Sequence, residues 1–120
     1  MTWTVRLHEA FKAEVAAMPA NVRRELVAMA NTLASFGPML GRPQADTLAG
    51  SRYANMKELR FRAGGGVWRV AFAFDPQRAA ILLVAGDKKG VAQTRFYRAL
   101  IDKADERYAQ HLADLGTTER

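Results

Sequence analysis

Cysteine is absent from the 120 residues, and that absence removes disulfides, thiolate metal sites and a cysteine nucleophile. Histidine is scarce. His8 and His111 stand far apart at no ligand spacing, so neither a metal site nor any other cofactor is expected. Long apolar runs are missing as well. The longest, "AAILLVAG" at Ala79–Gly86, is far too short to span a bilayer, and "MTWTVRLHEAF" lacks the pattern of a signal peptide. A cytoplasmic protein with no membrane partner is the expectation. No internal repeat or low-complexity segment divides the chain, so residues 1–120 read as a single domain with one core. Acids are also few: 12 Asp/Glu face 18 Lys/Arg, for a net charge of +6.

What is present is an ordinary globular composition, 49% apolar and 25% charged, with an uneven distribution of charge. Residues 37–75 carry six Lys/Arg against three Asp/Glu, and residues 76–98 carry five against one. Residues 99–120 reverse the balance, with three against five. A basic middle implies an anionic partner, and phosphate backbones are the commonest of these.

The periodicities give the elements. Thr2–His8 alternates as an opening strand, and Glu9–Met18 has Phe11, Val15 and Met18 at helical spacing before Pro19. Asn21 is a candidate cap for a second helix, whose stripe is Val22, Leu26, Met29, Leu33 and Phe36, stopped by Gly37 and Pro38. Gly37–Asn55 holds three glycines and two prolines and reads as a loop. Strands follow at about Met56–Ala63, Val67–Phe74 and Ala80–Gly86, turned by Gly64–Gly66 and by "DPQR" at Asp75–Arg78. Thr94–Leu115 is helical and its tail "GTTER" is expected to fray. The order β-α-α-β-β-β-α implies an α+β domain: a small antiparallel sheet, a helical hairpin on one face and a C-terminal helix.

Strand parity places the cations. Leu59 and Phe61 share one face of their strand, and Glu58, Arg60 and Arg62 share the other. In the next strand Trp68, Val70, Phe72 and Phe74 are apolar, leaving Arg69 opposite with Ala71 and Ala73. The apolar faces meet the hairpin. Arg60, Arg62 and Arg69 then form a basic, concave sheet face, with room beside the alanines and with Lys88 and Lys89 at its border. Lys57 has the apolar parity but stands at the strand's start, where its end can reach the rim. Each cation also has an ordinary surface reading, such as an exposed Glu58–Arg60 pair or a contact from Arg69 to Asp102 or Asp105. His8 and His111 read as surface or capping residues, Trp68 and Phe72 as core, and Tyr97 as either core or site.

The runs "KELRF", "VWRVAFAFD", "ILLVAGDKKG" and "RFYRALIDKADERYAQHL" resemble the RelE/ParE toxin superfamily, and within it the phage-derived HigB-like branch. The likeness extends from Val5 to Leu112. It implies the toxin of a type II toxin–antitoxin pair, a metal-independent endoribonuclease that cuts mRNA on the ribosome, neutralised by an antitoxin with a helix-turn-helix domain. Glu58, Arg60, Arg69, Lys88 and Lys89 match the family's site positions. Arg60 and Arg69 suit charge stabilisation at phosphorus; Lys57 or Glu58 stands as base, and Lys88 or Tyr97 as acid. Arg62, Lys89, Arg95 and Arg98 are the expected RNA-binding cations. No histidine matches the general base of better-understood members. A gyrase-directed ParE-like toxin and a non-catalytic nucleic-acid-binding module are the alternatives.

Overall fold

The computed structural model describes residues 2–118. In chain order it contains β1 (Val5–Leu7), α1 (Glu9–Ala16), α2 (Ala20–Phe36), a 3₁₀ turn (Gly37–Met39), β2 (Ala45–Thr47), β3 (Lys57–Ala63), β4 (Gly66–Phe74), β5 (Ala80–Asp87) and α3 (Gln93–Thr118). The five strands form one sheet in the order β1-β5-β4-β3-β2. Strands β2 to β5 pair antiparallel with their neighbours, whereas β1 joins β5 in parallel, with Val5 opposite Ala80 and Leu7 opposite Leu82.

The boundaries differ from the periodicity where tertiary contacts intervene. His8 caps α1, its Nδ1 accepting the Ala10 N–H at 3.1 Å, and the helix stops at Ala16, before Met18. Pro19, not Asn21, precedes the first turn of α2, and Asn21 lies inside the helix. Proline's fixed φ suits that position without a side-chain cap. Leu33 closes the buried stripe of α2; Phe36, counted in it from spacing, is 57% exposed at the helix end. Gly37 has φ +57° and the Trp3 indole occupies the space where its side chain would stand, so glycine is required there on both counts. Strand β2 corrects the reading of Gly37–Asn55 as loop. At three residues it is too short to show alternation, and only its pairing of Ala45 with Leu59 defines it. In the tail, Gly116–Thr118 continue α3 instead of fraying, while Glu119 and Arg120 lie outside the described residues.

Both faces of the sheet are covered. Phe11, Val15, Val22, Leu26 and Leu33 of the hairpin pack on Leu59, Phe61, Val70, Phe72 and Leu82. On the other face α3 lays Phe96, Leu100, Ala104 and Tyr108 over Met56, Ala71, Ala73, Ile81 and Leu83. Ala71 and Ala73 are fully buried, so the room expected beside Arg69 is filled by α3 along most of β4. The small side chains let the helix approach the sheet; they do not admit a ligand.

One irregularity ties these layers together. The β4–β5 register passes from Ala71–Val84 to Phe72–Leu82, leaving Leu83 as a bulge. The Leu83 carbonyl accepts from Arg107 Nη1 at 2.8 Å, and Arg107 also makes a two-pronged ion pair with Glu14 at 2.6 and 2.8 Å. Because the β1 pairing ends at Leu82, the guanidinium passes the open edge of β5 and links α3 to α1.

Candidate active site at the uncovered end of the sheet

The β3–β4 register sets Arg60 opposite Arg69, Glu58 opposite Ala71 and Arg62 opposite Val67. Pleating then sends Glu58, Arg60, Arg62 and Arg69 to the face that α3 covers. Helix α3 reaches only part of that face. Its first turn seats Phe96 on Gly86, where a Cβ would lie 2.9 Å from the ring, so this helix position depends on glycine. Tyr97 follows directly, and its hydroxyl reaches Glu58 and Arg69.

The Tyr97 hydroxyl donates to Glu58 Oε1 at 2.9 Å and accepts from Arg69 Nε at 2.8 Å. Arg60 Nε also donates to Glu58 Oε1, at 3.3 Å, with Nη2 3.5 Å from Oε2. Arg69 Nη1 donates to the Val67 carbonyl at 3.1 Å, and its guanidinium lies 5.5 and 5.7 Å from the Phe96 and Tyr97 ring centres. Nε and Nη1 are thus committed to protein acceptors, while among the described residues no acceptor engages Nη2. The result is a preorganised cation with one donor edge left over, as phosphate recognition requires.

Electrostatics follow from burial. The Glu58 side chain is 4% exposed against 41% for Arg60. The hydrogen bond and charge of Glu58 raise the Arg60 pKa above its usual value. Burial first, then Glu58, raises the Tyr97 pKa above the ordinary 10.0, so the phenol stays protonated at neutral pH. Glu58 offsets one of the two arginine charges, and the cluster keeps a net positive charge.

A cleft of about 370 Å³ opens in front of Arg69, lined also by Val67, Asp87, Lys88 and Lys89. The lysines sit on a tight turn in which the Val91 N–H bonds the Lys88 carbonyl at 2.9 Å, with Gly90 at φ +76°. Asp87 Oδ1 accepts the Lys89 N–H at 3.1 Å and anchors the turn. Asp87 itself packs on Gly66, where a Cβ would lie 2.7 Å from Oδ2. The run "GDKKG" signals a turn in sequence, but the seat on Gly66 is a tertiary fact.

The structure brings together Glu58, Arg60, Arg69 and Tyr97, with Lys88 and Lys89 across the cleft. Arg62 projects on the same face toward the β3–β4 turn. Lys57 is not brought in: it pairs with Phe72 and Thr47, on the hairpin face at the far end of β3. Arg95 and Arg98 are exposed at the start of α3 and bond to none of the cluster. Asp102 and Asp105 do not meet Arg69 either; Asp105 accepts from Ser51 and from the Arg52 N–H. His8 is a helix cap, with its pKa lowered by burial and by Arg107, and His111 pairs with Asp75 at 2.7 Å. Among the described residues no group of three or more His, Asp or Glu could hold a metal ion, and no helix is long and apolar enough to cross a membrane.

A basic cleft at the open end of a five-stranded sheet, with a helical hairpin behind it and a tyrosine-bearing helix beside it, defines a RelE-like architecture. Residues 13–109 match the family described as Phage derived protein Gp49-like (DUF891), and the chain belongs to that family. It is 48% identical over 97 residues to HigB2 of Mycobacterium tuberculosis, covering 79% of this chain and 48% of that protein. It is 51% identical over 77 residues to HigB3 of the same organism, covering 64% of this chain and 65% of that protein. Both relatives bear a toxin's name, and the chain spans about half and about two thirds of their lengths. Among solved structures, a free-state mutant of the Escherichia coli toxin RelE superposes with a TM-score of 0.60 at 13% identity, over 86% of this chain and 97% of that one. An archaeal RelE–RelB complex from Pyrococcus horikoshii gives 0.55 at 16% identity, over 76% and 100%. At these identities the structural likeness concerns the fold.

Proposed function

We propose that this protein is the toxin of a toxin–antitoxin pair and that the Arg69 cleft cleaves mRNA held on the ribosome, which places its action in the cytoplasm. The observation that carries the reading is the Glu58–Tyr97–Arg69 chain of hydrogen bonds, which ends at a guanidinium that lines a basic cleft and whose Nη2 meets no acceptor among the described residues. A cognate antitoxin is the proposed partner, supported by the RelE–RelB complex among the structural relatives. A helix-turn-helix domain in that antitoxin is what the family resemblance implies.

The chemistry needs no metal. The 2′-oxygen forms a bond to phosphorus while the bond from phosphorus to the 5′-oxygen breaks, leaving a 2′,3′-cyclic phosphate and a 5′-hydroxyl. Arg69 Nη2 donates to the phosphoryl oxygens where charge accumulates. The 2′-hydroxyl proton passes to the Tyr97 oxygen as the Tyr97 proton passes to Glu58. Glu58 is therefore the base, reached through the tyrosine, since the carboxylate itself is buried. Lys88, on the opposite side of the cleft, protonates the departing 5′-oxygen. Solvent restores both groups.

The test is a translation reaction with purified protein, in which transcript 5′ ends are mapped with and without ribosomes. Ribosome-dependent cuts bearing 5′-hydroxyls, absent with Arg69→Ala, are the expected result. Intact transcripts with folded wild-type protein would overturn the cleavage reading.

A further inference from the structure

Val67 is a ridge between two depressions. On one side is the cleft of Arg69 and the lysine turn. On the other a groove of about 280 Å³ is lined by Pro43, Gln44, Arg60, Phe61, Arg62 and Val67. We propose that this groove holds the nucleotide next to the scissile phosphate, with Arg62 on its phosphate and the Gln44 amide on its base. The proposal rests on the RNA-directed reading of the Arg69 cleft and adds to it a second subsite with its own specificity residue.

The first ground is continuity. Val67 lines both depressions, and its carbonyl is held by Arg69 Nη1 at 3.1 Å, so the ridge is fixed to the residue that grips the central phosphate. Arg62 is the direct cross-strand partner of Val67, one strand over, about 4.8 Å in a paired sheet. A polynucleotide crossing the strands from the lysine turn therefore meets Lys88, Arg69 and Arg62 in succession.

Charge is the second ground. Of the two arginines in the groove, Arg60 is committed to Glu58. Arg62 is exposed, and among the described residues it has no acceptor. No acid lines this groove. A larger cleft of about 590 Å³, near the β1 edge, mixes Arg6, His8 and Lys12 with Glu9 and Asp114 and so has no such preference for an anion.

The third ground is the placement of Gln44. Its carbonyl accepts the Arg60 N–H at 2.8 Å, and Ala45 beside it is buried as the first rung of β2. That three-residue strand thus fixes the backbone of an exposed, uncharged amide at the groove wall. An amide offers one donor group and one acceptor, the pair needed to read a base edge, whereas a cation alone reads only phosphate.

The test uses fluorescence anisotropy with 2′-O-methyl hexanucleotides, in which the blocked nucleophile prevents cleavage and the base is varied at each position in turn. Wild-type protein should prefer one base at one position by about fivefold or more. Gln44→Ala should level that preference while changing the mean affinity by less than about twofold. Arg62→Ala should weaken every oligonucleotide alike and reduce the dependence of log affinity on log salt by about 0.7. Absent binding, equal affinity for all bases in the wild type, a preference that survives Gln44→Ala, or an unchanged salt slope in Arg62→Ala would each overturn the proposal. Failure of the cleavage reading looks different: intact transcripts on ribosomes beside a base preference that Gln44→Ala removes.

Discussion

At the scale of single residues, the site depends on the tyrosine hydroxyl as much as on the arginine it holds. In the proposed reaction Arg69 is the donor to the phosphoryl oxygens, so Arg69→Ala should fold normally and lose on the order of a hundredfold or more in cleavage. Tyr97→Phe keeps the ring under the guanidinium but removes the link between Glu58 and Arg69. In a proton relay it should lose nearly as much rate as Arg69→Ala while leaving RNA affinity nearly unchanged. Single-turnover rates and anisotropy on the same preparations separate the two quantities. A Tyr97→Phe protein with wild-type rate would exclude the relay. Lys57→Ala, far from the cleft on the other face of β3, should cleave at the wild-type rate within about twofold.

At the scale of elements, two contacts decide where α3 lies. Phe96 sits on Gly86, and a methyl group there would push the ring outward and carry Tyr97 with it. Gly86→Ala should therefore cost about 1–3 kcal/mol and reduce cleavage further than that destabilisation explains. Gly41→Ala, with nothing within 4 Å of the new methyl, is the control expected to change neither. Urea denaturation and cleavage rates report both. The second contact is the Arg107 clamp. Arg107→Met leaves the Leu83 carbonyl buried without a donor and should cost about 1–3 kcal/mol. Arg107 holds the Glu14 carboxyl below its ordinary value of 4.5. A depressed folded-state pKa gives stability that is present above the unfolded value and is lost as pH falls through the folded one. Stability should thus decline as pH falls below about 4.5, and Glu14→Gln should flatten that part of the profile. Equal slopes in the two proteins would remove Glu14 from the acid transition.

At the scale of the whole molecule, the charge pattern and the fold act together. Net charge is +6, and the excess belongs to the middle of the chain, whose strands and turns converge on the uncovered end of the sheet. Four cations, Arg62, Arg69, Lys88 and Lys89, lie along the proposed RNA path. Log affinity for single-stranded RNA should therefore fall against log salt with a slope of about −3. A slope near zero would detach the basic end from phosphate binding. Asp102, Asp105, Glu106 and Asp114 of the acidic C-terminal part lie on α3, beyond its first turn, where Asp105 accepts from Ser51 and from the Arg52 N–H.

Local pattern alone determined the helical hairpin, the three long strands, the last helix and the common face of Glu58, Arg60, Arg62 and Arg69. Each of these follows from a period of 3.6 or 2.0, which neighbouring residues impose on one another. The family motifs likewise lie within those elements. Tertiary structure decided what is set by residues distant in sequence: that α3 buries Ala71 and Ala73, that β2 exists as a strand, and that Leu83 bulges to receive Arg107. It also fixed the partners of Tyr97, which local pattern left open, because a hydroxyl at position 97 meets Glu58 and Arg69 only after the helix has docked on Gly86. Periodicity can say which way a side chain points. What it points at depends on how the layers pack, and that is a property of the whole fold.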